Sequence, residues 1–232
     1  MRVLERICLM IALGSCVAHA DPVDLKPFRA TYTIEWKGLT AGSSTFELRQ
    51  AGPDSYSYSS TNVARGMFRL AFSDTITQTS TFRIVDGRVV PMSFRGSDEK
   101  ERPTDLTFDW QRKRVTGIAK GHAVDLELPD GAQDPMSLQI ASLRSLATSN
   151  LQSSVHLVDS DKLKDYELRL EGNARIDTEL GTLDTVIYTS TNATGGRITR
   201  TWVAPALGYL PVRAERVRDK KVEFTILIQS AQ

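Results

Sequence analysis

Residues 28–37 alternate without exception. Phe28, Ala30, Tyr32, Ile34 and Trp36 are apolar, and Arg29, Thr31, Thr33, Glu35 and Lys37 between them are polar. A period of two places each set on one face, which predicts a half-buried strand with Trp36 turned inward. Residues 38–42, bounded by glycines, predict a turn, and residues 43–49 the returning strand. The rhythm continues at 56–63, 75–85, 88–94, 105–110, 114–119 and 123–128. It resumes at Val155 and runs through 165–171, 174–179, 182–191, 197–203, 209–218 and 221–228. Turn chemistry separates the segments, as at Pro53-Asp54, Asp86-Gly87, Gly195-Gly196 and Asp219-Lys220. Residues 65–71 fit a short helix or a broken strand.

One segment changes period. Met136, Ile140, Leu143, Leu146 and Ala147 recur at three- and four-residue spacing, which predicts a helix over about 135–148. Asp134 is placed to cap it, Pro135 suits the first helical position, and Ser149 and Asn150 end it. A dozen short antiparallel strands seldom form a flat open sheet. The expected fold is therefore all-β: one large antiparallel curled sheet or barrel with a central helix covering an opening. No linker or repeat divides residues 21–232, so a single mostly β domain is expected.

Residues 1–20 stand apart. Arg2 and Arg6 precede an apolar run at 7–14, and Ala18-His19-Ala20 offers a small-x-small cleavage site. This reads as a bacterial secretory signal, and the run is too short to span a bilayer. The expected mature protein is periplasmic and begins at Asp21. The alternative is a lipobox at Leu13-Gly14-Ser15-Cys16, which would acylate Cys16 and tether the chain to a membrane. Cleavage after Ala20 discards both cysteines, Cys8 and Cys16, and with them thiol catalysis and thiolate metal sites. No later apolar stretch has membrane-spanning length.

Composition removes other classes. Lys and Arg number 29 against 28 Asp and Glu, so no basic excess marks a nucleic-acid binder. Beyond the leader there are two histidines, His122 and His156, without metal-ligand spacing. No nucleophile elbow, phosphate loop or dinucleotide fingerprint is present. No metal, cofactor or catalytic residue is assigned.

Several segments carry a family resemblance. The opening Phe28-Arg29-Ala30-Thr31-Tyr32-Thr33-Ile34 is followed by Gly38 and Gly42. Asp134-Pro135-Met136-Ser137-Leu138 precedes Leu143-Arg144, and Trp202 precedes Tyr209-Leu210-Pro211-Val212. In this order they resemble the exported bacterial family called domain of unknown function 3108. That resemblance implies a signal-bearing, mostly β envelope protein and carries over no catalytic residue.

The best polar constellation is Asp134, Ser137 and Arg144, with Ser137 and Arg144 two helical turns apart on one face. Arg144 is a candidate for an anionic group at the mouth of the barrel; the bland reading is a capped helix whose arginine pairs with the sheet. Trp202 shares its strand face with Arg200, which fits a cation–π pair or a ligand wall. Glu35, Asp74, Asp105, Asp109 and Asp165 are the carboxylates a hydrolase would need, and most sit at polar positions. Three functions follow: a non-enzymatic carrier holding a lipid-like amphiphile, an assembly factor binding envelope proteins or glycans, and a carboxylate-dependent hydrolase.

Overall fold

The computed structural model describes residues 25–70, 75–97, 102–193 and 195–232. The leader, Cys16 and Asp74 lie outside the described residues. Eight strands precede the helix: β1 (Phe28–Trp36), β2 (Leu39–Gly52), β3 (Ser55–Ala64), β4 (Thr75–Val85), β5 (Arg88–Ser97), β6 (Pro103–Asp109), β7 (Arg114–Ala119) and β8 (His122–Glu127). Helix α1 (Ser137–Ala147) follows. Six strands complete the chain: β9 (Ser154–Asp159), β10 (Lys162–Thr178), β11 (Gly181–Asn192), β12 (Arg197–Ala204), β13 (Leu210–Arg218) and β14 (Lys221–Ala231). Short 3-10 turns occupy Gly66–Leu70 and Pro205–Leu207.

All fourteen strands form one antiparallel sheet, ordered β8-β7-β6-β5-β4-β3-β2-β1-β14-β13-β12-β11-β10-β9. Two meanders therefore lie side by side. They are joined where the first strand pairs with the last, with Arg29 and Gln232 exchanging backbone hydrogen bonds of 3.0 and 2.9 Å.

The sheet curls but has no β8–β9 ladder. The segment entering α1 bridges part of the seam: Gln133 N–H donates to His156 O at 2.9 Å, and Val158 N–H donates to Gln133 O at 2.8 Å. The Gln133 side-chain amide donates to Val89 O at 3.0 Å. Farther along the seam, Lys120 in the β7–β8 turn pairs with Asp161 in the β9–β10 turn at 2.7 Å. Edges that would offer unpaired backbone groups are thus partly covered.

The helix lies against the inside of this curl. Met136, Ile140, Leu143 and Leu146 pack with Tyr58, Phe82, Phe94 and Leu106 from one meander and Val155, Leu168, Tyr188 and Val203 from the other. An amphipathic helix can satisfy two facing walls because its apolar stripe is broad. Tyr188 is buried, bonded to Ser142 of α1 and Thr201, and burial raises its pKa. A hollow beside α1 has a volume of about 20 Å³, room for about one water.

Several local expectations change. The first turn is Lys37-Gly38 alone, because both residues take positive φ, 49° and 81°, and β2 begins at Leu39. The segments 165–171 and 174–179 are one strand, β10; a register shift between Leu170 and Gly172 breaks the periodicity without breaking the strand. Trp36 keeps its face but not its burial: it is 40% exposed, since the core ends before it, and its ring packs 5.8 Å from Phe68.

Candidate functional site

Asp134 caps the turn that leads into α1. Its Oδ1 accepts from the backbone N–H of Met136 at 2.8 Å and Ser137 at 2.9 Å, and its carbonyl accepts from Leu138 N–H at 2.9 Å. Ser137 Oγ reciprocates by accepting from Asp134 N–H at 2.9 Å. Ser80 on β4 donates to the second carboxylate oxygen at 2.6 Å. Burial nonetheless raises the Asp134 pKa, against the lowering effect of these bonds. Pro135 supplies no N–H where none is needed.

Arg144 is buried in the last turn of α1, where its Nη2 approaches Gly87 O in the β4–β5 turn at 3.5 Å. Ser149, with φ of 55°, then turns the chain and returns Asn150 N–H to Ser145 O at 2.7 Å.

Trp202 lies elsewhere. Its neighbours Thr201 and Val203 are buried on the helix side of β12, so strand alternation sends Trp202 to the other face. The guanidinium of Arg213, directly across on β13, lies 5.2 Å from its ring centroid, and that of Arg200 lies 6.0 Å away. Each arginine is anchored: Arg213 to Glu215 at 2.5 Å and Arg200 to Glu171 at 2.5 Å. The result is a Glu171–Arg200–Trp202–Arg213–Glu215 ladder across β10 to β13. The structure does not bring Arg144 and Trp202 together.

Three of the carboxylates weighed as hydrolytic, Asp105, Asp109 and Asp165, have local partners. Asp105 meets Arg95 at 3.2 Å, and Asp165 meets His156 Nδ1 at 2.6 Å. Asp109 accepts from the N–H groups of Gln111 at 3.1 Å and Arg112 at 2.9 Å. Among the described residues no three metal-ligating side chains form a group.

Another cation faces the inside of the curl. At the end of the curl carrying the β1–β2 and β13–β14 turns, Tyr32, Ile34 and Trp36 align with Ile228, Ile226 and Phe224 on β14. Ala214 and Arg216 on β13 align with Ile226 and Phe224 in turn, so Arg216 shares the inward face of buried Tyr32. Its guanidinium stands 4.9 Å from the Phe224 centroid. Arg216 is half-buried, and burial, with Arg197 nearby, lowers its pKa. Among the described residues it has no ion pair, because nearby Glu223 is engaged by Arg197 at 3.8 Å and Arg218 at 4.0 Å. The adjoining inner wall is small and polar. Ser44 and Ser60 are buried there, and Ser44 Oγ donates to Asn62 Oδ1 at 2.6 Å. The available sequence signal was a charged residue at the inward parity of Val212 and Ala214. Which face of the β13 segment lies inward depends on pairing.

Fold and site together define a barrel-like antiparallel sheet, incompletely closed round one helix, with Arg216 on its inner wall in no ion pair among the described residues. The chain belongs to the family described as protein of unknown function (DUF3108), whose model matches residues 31–224. No curated protein matches it. Among solved structures it is similar to a β-barrel-like protein of domain of unknown function DUF1849 from Brucella abortus. That match has 11% identity and a TM-score of 0.61, and covers 89% of this chain and 97% of the other. It is also similar to a chain of the Pseudomonas aeruginosa MucA/MucB complex, at 15% identity, covering 89% of this chain and 51% of the other. There the TM-score is 0.32, which carries no argument about this chain. The first likeness bears on fold alone.

Proposed function

We propose that this chain is a non-enzymatic binding protein of the bacterial envelope, and that its ligand is an amphiphile with an anionic head. The observation that carries the reading is Arg216: a half-buried cation on the inner wall with no ion pair among the described residues. A charge out of water favours a counter-charge, and a guanidinium offers a planar fork suited to carboxylate or phosphate. Ile34, Ile226, Phe224 and Trp36 on the same face offer the apolar part a wall. Arg144 and Trp202 take structural roles here, one securing α1 to the β4–β5 turn and the other stacked between anchored arginines. The secretory leader expected at 1–20 would deliver the protein to where such ligands travel.

The test is native mass spectrometry and lipid extraction of protein purified from its own envelope. The parent should carry an anionic amphiphile, and Arg216→Ala should lose it while keeping its circular dichroism spectrum. Equal ligand content in parent and variant, or none in the parent, overturns the reading.

A further inference from the structure

Large apolar side chains are exposed together at the end of the curl that holds Arg216. Leu70 is 92% exposed, Met67 73%, Leu39 61% and Trp36 40%, and Val63 and Val222 are exposed beside them. The fold makes them neighbours. Strand β1 lies between β2 and β14, so the turns bearing Trp36, Leu39 and Val222 are adjacent. The 3-10 turn Gly66–Leu70 is held to them by Arg65 N–H donating to Ala41 O at 2.8 Å and by the Phe68 ring tilted against Trp36 at 5.8 Å. A hollow of about 550 Å³ lined by Val63, Ala64, Arg65, Gly66, Arg69 and Thr75 opens at the same end.

The charges around this patch are one-sided, although the chain is nearly neutral overall. Lys37, Arg65, Lys220 and Lys221 are exposed there and have no ion pair among the described residues. Lys37 stands 5.9 Å from the Trp36 ring centroid. Among the described residues the carboxylates facing the patch are Glu35, Asp219 and Glu223; Asp219 lies 3.8 Å from Arg218, and Glu223 is shared by Arg197 and Arg218. Apolar side chains flanked by unpaired cations complement a lipid surface with anionic head groups: the apolar groups enter the interface while the cations remain at head-group level.

We infer that this end of the molecule docks on an anionic lipid surface, with Met67, Leu70 and Leu39 inserting and Lys37, Arg65, Lys220 and Lys221 meeting the head groups. The docking is independent of any ligand held by Arg216.

The experiment is co-sedimentation of the full mature chain with vesicles of phosphatidylglycerol and phosphatidylcholine in equal parts, and with phosphatidylcholine alone, at low and high salt. The parent should bind the anionic vesicles, bind neutral ones weakly, and be released by salt. Lys220→Glu with Lys221→Glu should weaken binding about tenfold or more. Met67→Glu with Leu70→Glu should abolish it. All four positions are exposed, so the variants should melt like the parent. Arg216→Ala should bind vesicles as the parent does. A parent that stays in the supernatant, or folded variants that bind unchanged, overturns the proposal. So does a parent dimer without vesicles that Met67→Glu with Leu70→Glu converts to monomer, which would make the patch a self-interface.

Discussion

Ser80 and Asp134, 54 residues apart in the chain, share a hydrogen bond of 2.6 Å with both residues fully buried. It ties the cap of the only α-helix among the described residues to the middle of β4. The helix is thus positioned by the same carboxylate that starts it. Asp134→Ala removes the cap and strands the Ser80 hydroxyl and two backbone N–H groups. The expected loss is about 2–4 kcal/mol, above the usual cap effect, because the abandoned donors are buried. Urea unfolding measures it; a parent-like midpoint would show that α1 starts without Asp134.

The same carboxylate predicts a pH dependence. Its folded pKa is raised by burial, so the native state holds this proton more tightly than the unfolded chain. Its contribution to stability is then greatest below the unfolded pKa and declines as pH rises through the folded one. Asp134→Asn keeps the acceptor for Met136 and Ser137 and cannot ionise. It should flatten that decline, as read from unfolding free energies across the weakly acidic range. An identical slope in parent and variant would reject this assignment.

Lys120 and Asp161 bridge the open seam in partial exposure, so screening limits their worth. Asp161→Asn should cost less than about 1 kcal/mol at neutral pH. Lys120 lowers the Asp161 pKa, so this contribution is present above the unfolded pKa and lost as acid titrates the folded carboxylate. Denaturation curves of parent and variant should therefore converge in acid. A gap that persists there would mean that the asparagine disturbs something other than the ion pair.

Gly117 on β7 takes φ of 148°, and a Cβ there would stand 2.0 Å from the carbonyl oxygen of Asp105. Gly121 also has positive φ, 83°, but nothing lies within 4 Å of its Cβ position. Gly117→Ala should cost at least about 2 kcal/mol, and Gly121→Ala distinctly less. Thermal melts of the two variants make the comparison, and equal losses would show that the collision is relieved by a backbone shift.

Trp202→Ala should destabilise the fold by about 2 kcal/mol, since it removes a half-buried ring and two cation–π contacts. Under the proposed function neither it nor Arg144→Lys alters the amphiphile content of purified protein, whereas Arg216→Ala does. Lipid extraction of the three variants separates an interior site at Arg216 from one built on Arg144 or Trp202.

Local physics made much of this protein legible in its sequence. Strict alternation at 28–36 specified β1, and Asp86-Gly87, both at positive φ, marked the β4–β5 hairpin because few residue pairs accept that geometry. The helix, its Asp134 cap and its Ser149 stop were written in side chains that act on the backbone within a few residues. Export is expected from residues 1–20 by the same local logic, and that segment lies outside the described residues.

Tertiary structure decided what depends on partners distant in the chain. Alternation names two faces but not which one is covered, nor where cover ends. Trp36 therefore matched its strand pattern and still emerged at the rim. The 165–171 and 174–179 segments looked like two strands because a bulge reverses parity, and only pairing with β11 shows their continuity. Strand parity already offered Trp202 the Arg200 guanidinium, but Arg213 reaches it, and the Gly87 carbonyl reaches Arg144, only through folding. Arg216 became a candidate for the opposite reason: closure of β13 against β14 turned a cation inward on Phe224 and left Glu223 to other arginines. A side chain's own chemistry is fixed by sequence, but its solvation and counter-charge are set by the walls folded around it.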